Sequence, residues 1–296
     1  MKMGGRGHHA LSFGHGYTVV EVMIFLAITS ALFVMVVISF QGQQGKTQFT
    51  TSARDMESRV QDIINDVATG FPGSDGSFRC TLGGGKPQIT AIAPNIDTIG
   101  TNTACIYIGK VLQPSIAGDP DNYAVYPIVG LRQIAGSSKL ATSFAESQPI
   151  AIAPPSSPDV DLTDKDRLPV GVTIARMTYD RGGTKQDIDG IGFFSTLGSY
   201  TGGAIDTIRP GALSVYMVPL NGDSAPSNIS ENDLVQHIDD TLNYSDNDLI
   251  KFFIEALKGS VVICMNSDSS NQHAVLKIGG DGQQLTTDLE IFNDKC

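Results

Sequence analysis

Cysteine, histidine and positive charge are all scarce in this sequence, and each shortage removes a class of function. Only four cysteines occur, at Cys80, Cys105, Cys264 and Cys296. None forms a Cys-x-x-Cys pair, and no Cys/His cluster has the spacing of a zinc site, so no metal is expected. The histidines are His8, His9, His15, His237 and His273. The first three fall in a short leader, His237 on the polar side of an expected helix, and His273 in an expected hairpin loop. There is no Gly-x-Ser-x-Gly elbow, no P-loop and no His-Glu-x-x-His. Gly83-Gly-Gly-Lys86 lacks the Ser or Thr that a phosphate loop requires and reads as a turn. The acidic groups Asp119-Pro-Asp121-Asn122 and Asp180 with Asp187-Ile-Asp189 lack EF-hand spacing and read as solvated loops. The expectation is therefore a protein without catalytic residues or cofactor, and not an enzyme.

Cations are too few to balance the acids. Twenty Lys and Arg stand against 31 Asp and Glu, giving a formal charge of −11. Lys2 and Arg6 lie in the first sixteen residues, where no acid occurs; without them the balance is 18 to 31, or −13. Such a surface repels phosphate backbones over most of its area, which excludes extensive nucleic-acid binding. Disorder is excluded too, because 41% of the 296 residues are hydrophobic and only 17% charged, enough to bury a core.

One long hydrophobic run is present. From Val22 to Phe40 there is neither charge nor proline, and as a helix this piece spans about 28 Å, close to the hydrocarbon thickness of a bilayer. Basic residues before it place the N-terminus in the cytoplasm and the remainder outside. A cleaved secretory signal would be shorter and would end in small residues. A plain anchor or a buried core helix leaves Glu21 without a reason. A carboxylate at the edge of lipid must find a partner or a proton.

The residues around it, Gly16-Tyr17-Thr18-Val19-Val20-Glu21, resemble the class III signal of type IV prepilins and pseudopilins. In that family a glycine precedes the cut, an aromatic residue follows, and a glutamate stands at the fifth position after it. The sequence departs in having Tyr17, where phenylalanine is commonest, and in a longer leader. The resemblance covers about the first fifty residues. It implies cleavage after Gly16 by a membrane prepilin peptidase, methylation of the new Tyr17 amine, and pairing of Glu21 with the amine of a neighbouring subunit. The implied partners are other pilin subunits, the peptidase, an inner-membrane assembly platform and the cytoplasmic membrane. The expected location is that membrane before assembly and an extracellular filament after it. A minor or tip pilin fits the size of the head. A tip adhesin or receptor, or a pseudopilin of a type II secretion or DNA-uptake system, is the alternative.

The expected fold is α+β: a leader (1–16), a long helix (17–72) and an antiparallel β-rich head (73–296). The helix is apolar all round at first and amphipathic afterwards. Phe49, Ala53, Met56, Val60, Ile63 and Val67 recur at helical spacing, with Arg54, Asp55, Glu57, Arg59 and Asp62 opposite. Gly42 and Gly45 between the halves weaken a helix and predict a bend, a melted turn or a plain loop. In the head, strands are expected at 88–93, 104–112, 123–131, 150–153, 170–179, 191–195 and 213–218. Ser230 and Ser245, each three residues before an aspartate, predict two helices, and 261–265 with 274–278 predict a strand pair. An even cysteine count in an exported chain favours two disulfides. Of three connectivities, Cys80–Cys105 and Cys264–Cys296 join the pairs nearest in sequence; four reduced buried thiols are the alternative. Pilins resemble the second pairing, in that a disulfide often closes a C-terminal loop on the head.

Overall fold

A computed structural model describes residues 17–70, 78–91, 104–141, 144–195, 215–220, 229–242, 259–279 and 285–293, without side chains at 39–42. The first element, α1, runs from Val19 to Thr69. Thr18 begins it as N-cap: the Glu21 N–H donates to the Thr18 hydroxyl at 3.3 Å, and the Val22 N–H to the Thr18 carbonyl at 3.2 Å. At the far end Gly70, at φ 72°, closes the helix with an N–H bond to the Val67 carbonyl, the left-handed stop that glycine provides at least cost.

The bend or loop expected at Gly42 and Gly45 is not there, since the helical backbone continues through both. The glycines mark a different boundary. Described residues up to Gly45 form one compact unit, and those from Lys46 onward form a second.

In the first unit α1 holds the one stretch, among the described residues, that is long and apolar enough to cross a membrane, and none of that stretch is buried within the chain. In the second unit the expected periodicity becomes packing. Phe49, Ala53, Met56, Val60, Ile63 and Val67 are all buried.

The head contains β1 (Phe78–Gly83), β2 (Lys86–Ala91), β3 (Cys105–Gln113), β4 (Asn122–Leu131), α2 (Phe144–Ser147), β5 (Ile150–Ala151) and β6 (Asp164–Arg167). Then come β7 (Val172–Arg181), β8 (Thr184–Asp187), β9 (Gly190–Ser195), β10 (Val215–Leu220), α3 (Glu231–Leu242), β11 (Ser260–Ser267), β12 (His273–Gly279) and β13 (Thr286–Phe292). Among the described residues they form three antiparallel sheets. The first is the β1–β2 hairpin, turned at Gly84 and Gly85, both at positive φ as Gly83-Gly-Gly-Lys86 predicts. The second has order β10-β9-β3-β4-β5, with β6 also on β4, and the third β13-β12-β11-β7-β8.

Apart from the charged, exposed edge strand β6, the second sheet is covered on both faces, so β3, β4, β9 and β10 are buried along most of their length instead of alternating. Side-chain alternation divides them between two cores. Phe193 and Met217 face a core shared by the buried stripe of α1 and the third sheet, with Met177, Ile263 and Leu276. Phe194 and Val218 face the opposite core, with Leu234, Val235, Ile238 and Leu242 of α3. Gly109 sits at a register shift between β3 and β4 and faces Phe194 of β9 on its other side. A Cβ there would lie 2.1 Å from the Phe193 carbonyl oxygen, so only glycine fits.

Helix α3 begins as the capping signal predicts. The Asp233 N–H donates to the Ser230 hydroxyl, which in turn donates to the Asp233 carboxylate. The second helix expected, after Ser245, lies outside the described residues. Strands β1, β6, β8 and β13 are additions to the sequence reading. β13 occupies part of the C-terminal stretch, for which the sequence reading gives no element, and its Thr287 hydroxyl accepts from Gln61 at 2.7 Å and donates to Glu57 at 3.2 Å.

Truncation should separate the two parts of α1. Met56→Ala, at a position 1% exposed, is expected to lower the stability of the head by about 2–5 kcal/mol. Phe33→Ala, 70% exposed, should change it by less than about 0.5 kcal/mol. Urea unfolding of the two variants in detergent, followed by circular dichroism, measures both.

Candidate functional site

The candidate site is the start of α1 together with the surface that follows it. Tyr17 is 80% exposed and precedes the helix. Glu21 lies in the first helical turn, where the partial positive charge of unpaired N–H groups favours a carboxylate. From Val19 to Ile38 the large apolar side chains are exposed on every side of the helix. The hydroxyl of Thr29 does not disturb this surface, because it donates to its own backbone at Phe25 (2.9 Å) and Leu26 (3.1 Å). Tyr17 and Glu21 are thus brought to one helix end, while Gly16 lies outside the described residues.

The sequence reading passes over Thr18. Its signal is nevertheless plain: Thr18-Val-Val-Glu21 is the Ser/Thr-x-x-Glu pattern of a capping box, the same type of pattern that locates α3.

Within the second unit, charged side chains tie α1 to the sheets. The Arg59 guanidinium donates to Asp55 (3.1 Å), Asp166 (2.5 Å) and the Tyr123 hydroxyl (2.5 Å), and its Cζ stands 5.5 Å from the centre of the Tyr123 ring. These bonds raise the Arg59 pKa, chiefly through Asp166, and hold the Asp166 carboxyl below its ordinary value. Burial is the main cause of the raised Tyr123 pKa. About two turns further along α1, Lys110 of β3 meets Asp66 at 2.6 Å, with the lysine side chain 8% exposed and the aspartate 33%. The Tyr107 hydroxyl is buried with no hydrogen bond among the described residues, and burial first, Asp66 second, raises its pKa.

Cys80 and Cys105 form a disulfide, as their nearness in sequence suggests. It links β1 to the start of β3 beside Ile89, Val129, Ile150 and Ile152. Cys264 is also disulfide-bonded; the partner expected from the sequence, Cys296, lies outside the described residues.

Both histidines of the head are less free than the sequence implies. His237 is half-buried, with its Nδ1 4.0 Å from the buried Asp189 carboxylate. His273 opens β12 instead of lying in a loop, and its Nδ1 meets the Asn266 side chain at 2.7 Å across the ladder. The acidic groups are engaged locally. Asp180 accepts from the Gly183 N–H, Asp187 from Arg176, and Asp119 from Asn122. Among the described residues no group of three or more His, Cys, Asp or Glu is placed to hold a metal ion.

Compared against models of known families, against curated proteins and against solved structures, the chain matches nothing in any of the three.

Two measurements follow from the buried charges. Removing Asp66 strands Lys110 in the core, whereas removing Lys110 leaves an aspartate that reaches water. Asp66→Ala is therefore expected to cost about 3 kcal/mol and Lys110→Met clearly less, by urea unfolding. The pKa of Asp239 on α3 is raised, mainly by burial and against the hydrogen bond from Ser156. An acid whose folded pKa is raised adds stability below its unfolded pKa and loses it as pH rises through the folded value. Asp239→Asn should then raise Tm at pH 7, with the gain shrinking towards pH 3.8, the ordinary value for Asp.

Proposed function

We propose that this chain is a structural subunit of a type IV pilus-like filament, processed after Gly16 and assembled through α1. The observation that carries the reading is the division of α1. Its later half is buried in the head, while its earlier half is exposed and apolar and begins with a carboxylate in the first turn. An apolar surface of that extent requires lipid or protein around it, and a helix of that length and composition suits both in turn. It serves as a membrane anchor before assembly and packs among the helices of other subunits afterwards.

In this reading Glu21 selects the docking position. Cleavage creates a positive amine at Tyr17 in low-dielectric surroundings, and the carboxylate of a neighbouring subunit neutralises it. Losing one member of a buried pair costs about 3–5 kcal/mol, enough to decide whether a subunit docks. The partners are other pilin subunits, a prepilin peptidase and an inner-membrane platform. The size of the head favours a minor or tip position.

Mass spectrometry of the N-terminus of the envelope form tests the processing. The expected species begins at a methylated Tyr17, and an intact Met1 or a cut beyond Phe33 would refute it. Glu21→Val should be made and inserted but recovered from sheared filaments at a small fraction of the wild-type level. Normal incorporation would remove Glu21 from the mechanism.

A further inference from the structure

We propose that Thr18 is a positioning residue for leader removal: by capping α1 it keeps the Gly16–Tyr17 peptide bond outside the helix. This rests on the prepilin reading above. The step itself is hydrolysis of that bond, in which water supplies the hydroxyl of the new Gly16 carboxyl and a proton of the new Tyr17 amine.

The argument starts from where the helix begins. Tyr17 and Thr18 are non-helical and Val19 is the first helical residue. The Thr18 side-chain oxygen takes the Glu21 N–H, one of the first-turn donors that has no partner within a helix. Near lipid, where water is scarce, such donors are costly to leave unpaired. The cap therefore fixes the helix start more firmly here than it would in water.

What the chain would do without the hydroxyl is also readable. Downstream of Thr18 no Ser, Thr, Asp, Asn or Gly occurs before Thr29, so the start cannot retreat to another good cap without losing more than two turns. Upstream, Gly16 is an acceptable cap. Removing the hydroxyl thus moves the helix start towards the leader, and a helix capped at Gly16 takes in the bond to be cut. A peptidase grips its substrate through extended backbone whose N–H and C=O groups are free to pair with the enzyme. A bond in the first helical turn is not extended, and its carbonyls are already paired within the helix. Thr18 and Glu21 share one capping sequence, joined by the Glu21 N–H bond to the Thr18 hydroxyl, yet their tasks differ, since Thr18 sets the geometry of the junction before cleavage and Glu21 meets the amine after it.

The test uses the full chain in liposomes with a purified prepilin peptidase, comparing initial cleavage rates. Thr18→Val keeps the shape and loses the acceptor; it should be cut more slowly by a factor on the order of five, the effect of losing one N-cap. Thr18→Ser and Thr18→Asn keep a capping oxygen and should be cut at about the wild-type rate. In micelles the Tyr17 Cα chemical shift should move towards helical values only in Thr18→Val. Equal rates for Val and Thr, an unmoved Tyr17 shift in Thr18→Val, or a Ser variant as slow as Val, would overturn the proposal and leave the filament reading intact. A wild-type chain that is not cut between Gly16 and Tyr17 would instead overturn the prepilin reading, and this proposal with it.

Discussion

The exposed apolar side chains from Val19 to Ile38 impose one dominant need, a cover. Covering a large apolar side chain stabilises by about 1.5–3 kcal/mol. The exposed row includes Phe25, Leu26, Ile28, Leu32 and Phe33 among others, so the total runs to roughly tens of kcal/mol. No ion pair in the head approaches that size. Whatever covers this row is therefore held chiefly by hydrophobic area, and charge is left to choose between arrangements that cover it equally well. Under the filament proposal, a single carboxylate at the beginning of the row governs register without supplying much of the binding energy.

The later half of α1 obeys the same hierarchy. Its hold on the sheets comes from Phe49 to Val67, all buried. Arg59 lies on the rim of that contact, with its own side chain and that of Asp166 31% and 52% exposed, so water screens most of what its ion pairs contribute. Its three bonds and the Tyr123 ring fix the angle at which the helix meets β4 and β6. Lys110 and Asp66 differ because the lysine is buried. Their bond chiefly compensates the loss of hydration, and it ties the last turns of α1 to β3 at one defined register.

Legibility in the sequence followed the size of the apolar signal. The stripe of α1, the face of α3 and the apolar strands β3, β4, β7, β9 and β10 are readable, because burial on one or both faces forces a periodic or continuous hydrophobic pattern. β6 (Asp-Lys-Asp-Arg) and β8 (Thr-Lys-Gln-Asp) carry no such pattern. They are short edge strands held by their backbones beside β4 and β7, and charged side chains there discourage further pairing. β13 is hidden differently: only Leu289 and Ile291 turn towards the core, too few to distinguish a strand from a tail. The continuity of α1 through Gly42 and Gly45 was illegible for an energetic reason. Two helical glycines cost about 1 kcal/mol each, which a helix anchored by good formers on both sides can absorb.

The candidate site was half legible for a reason of its own. Glu21 stands out because a charge beside a long apolar run is conspicuous, and Tyr17 and Gly16 follow from it by resemblance. Thr18 does not stand out, since a threonine next to valines is unremarkable in composition. Its role exists only in geometry, as an oxygen 3.3 Å from the Glu21 N–H. Once that bond is seen, Glu21 acquires two physical reasons for its position. As the third residue of the helix it faces unpaired donors that favour negative charge. Cap and charge thus act on the same first-turn donors: the Thr18 oxygen takes the Glu21 N–H, and the Glu21 carboxylate stands in the field of those that remain free.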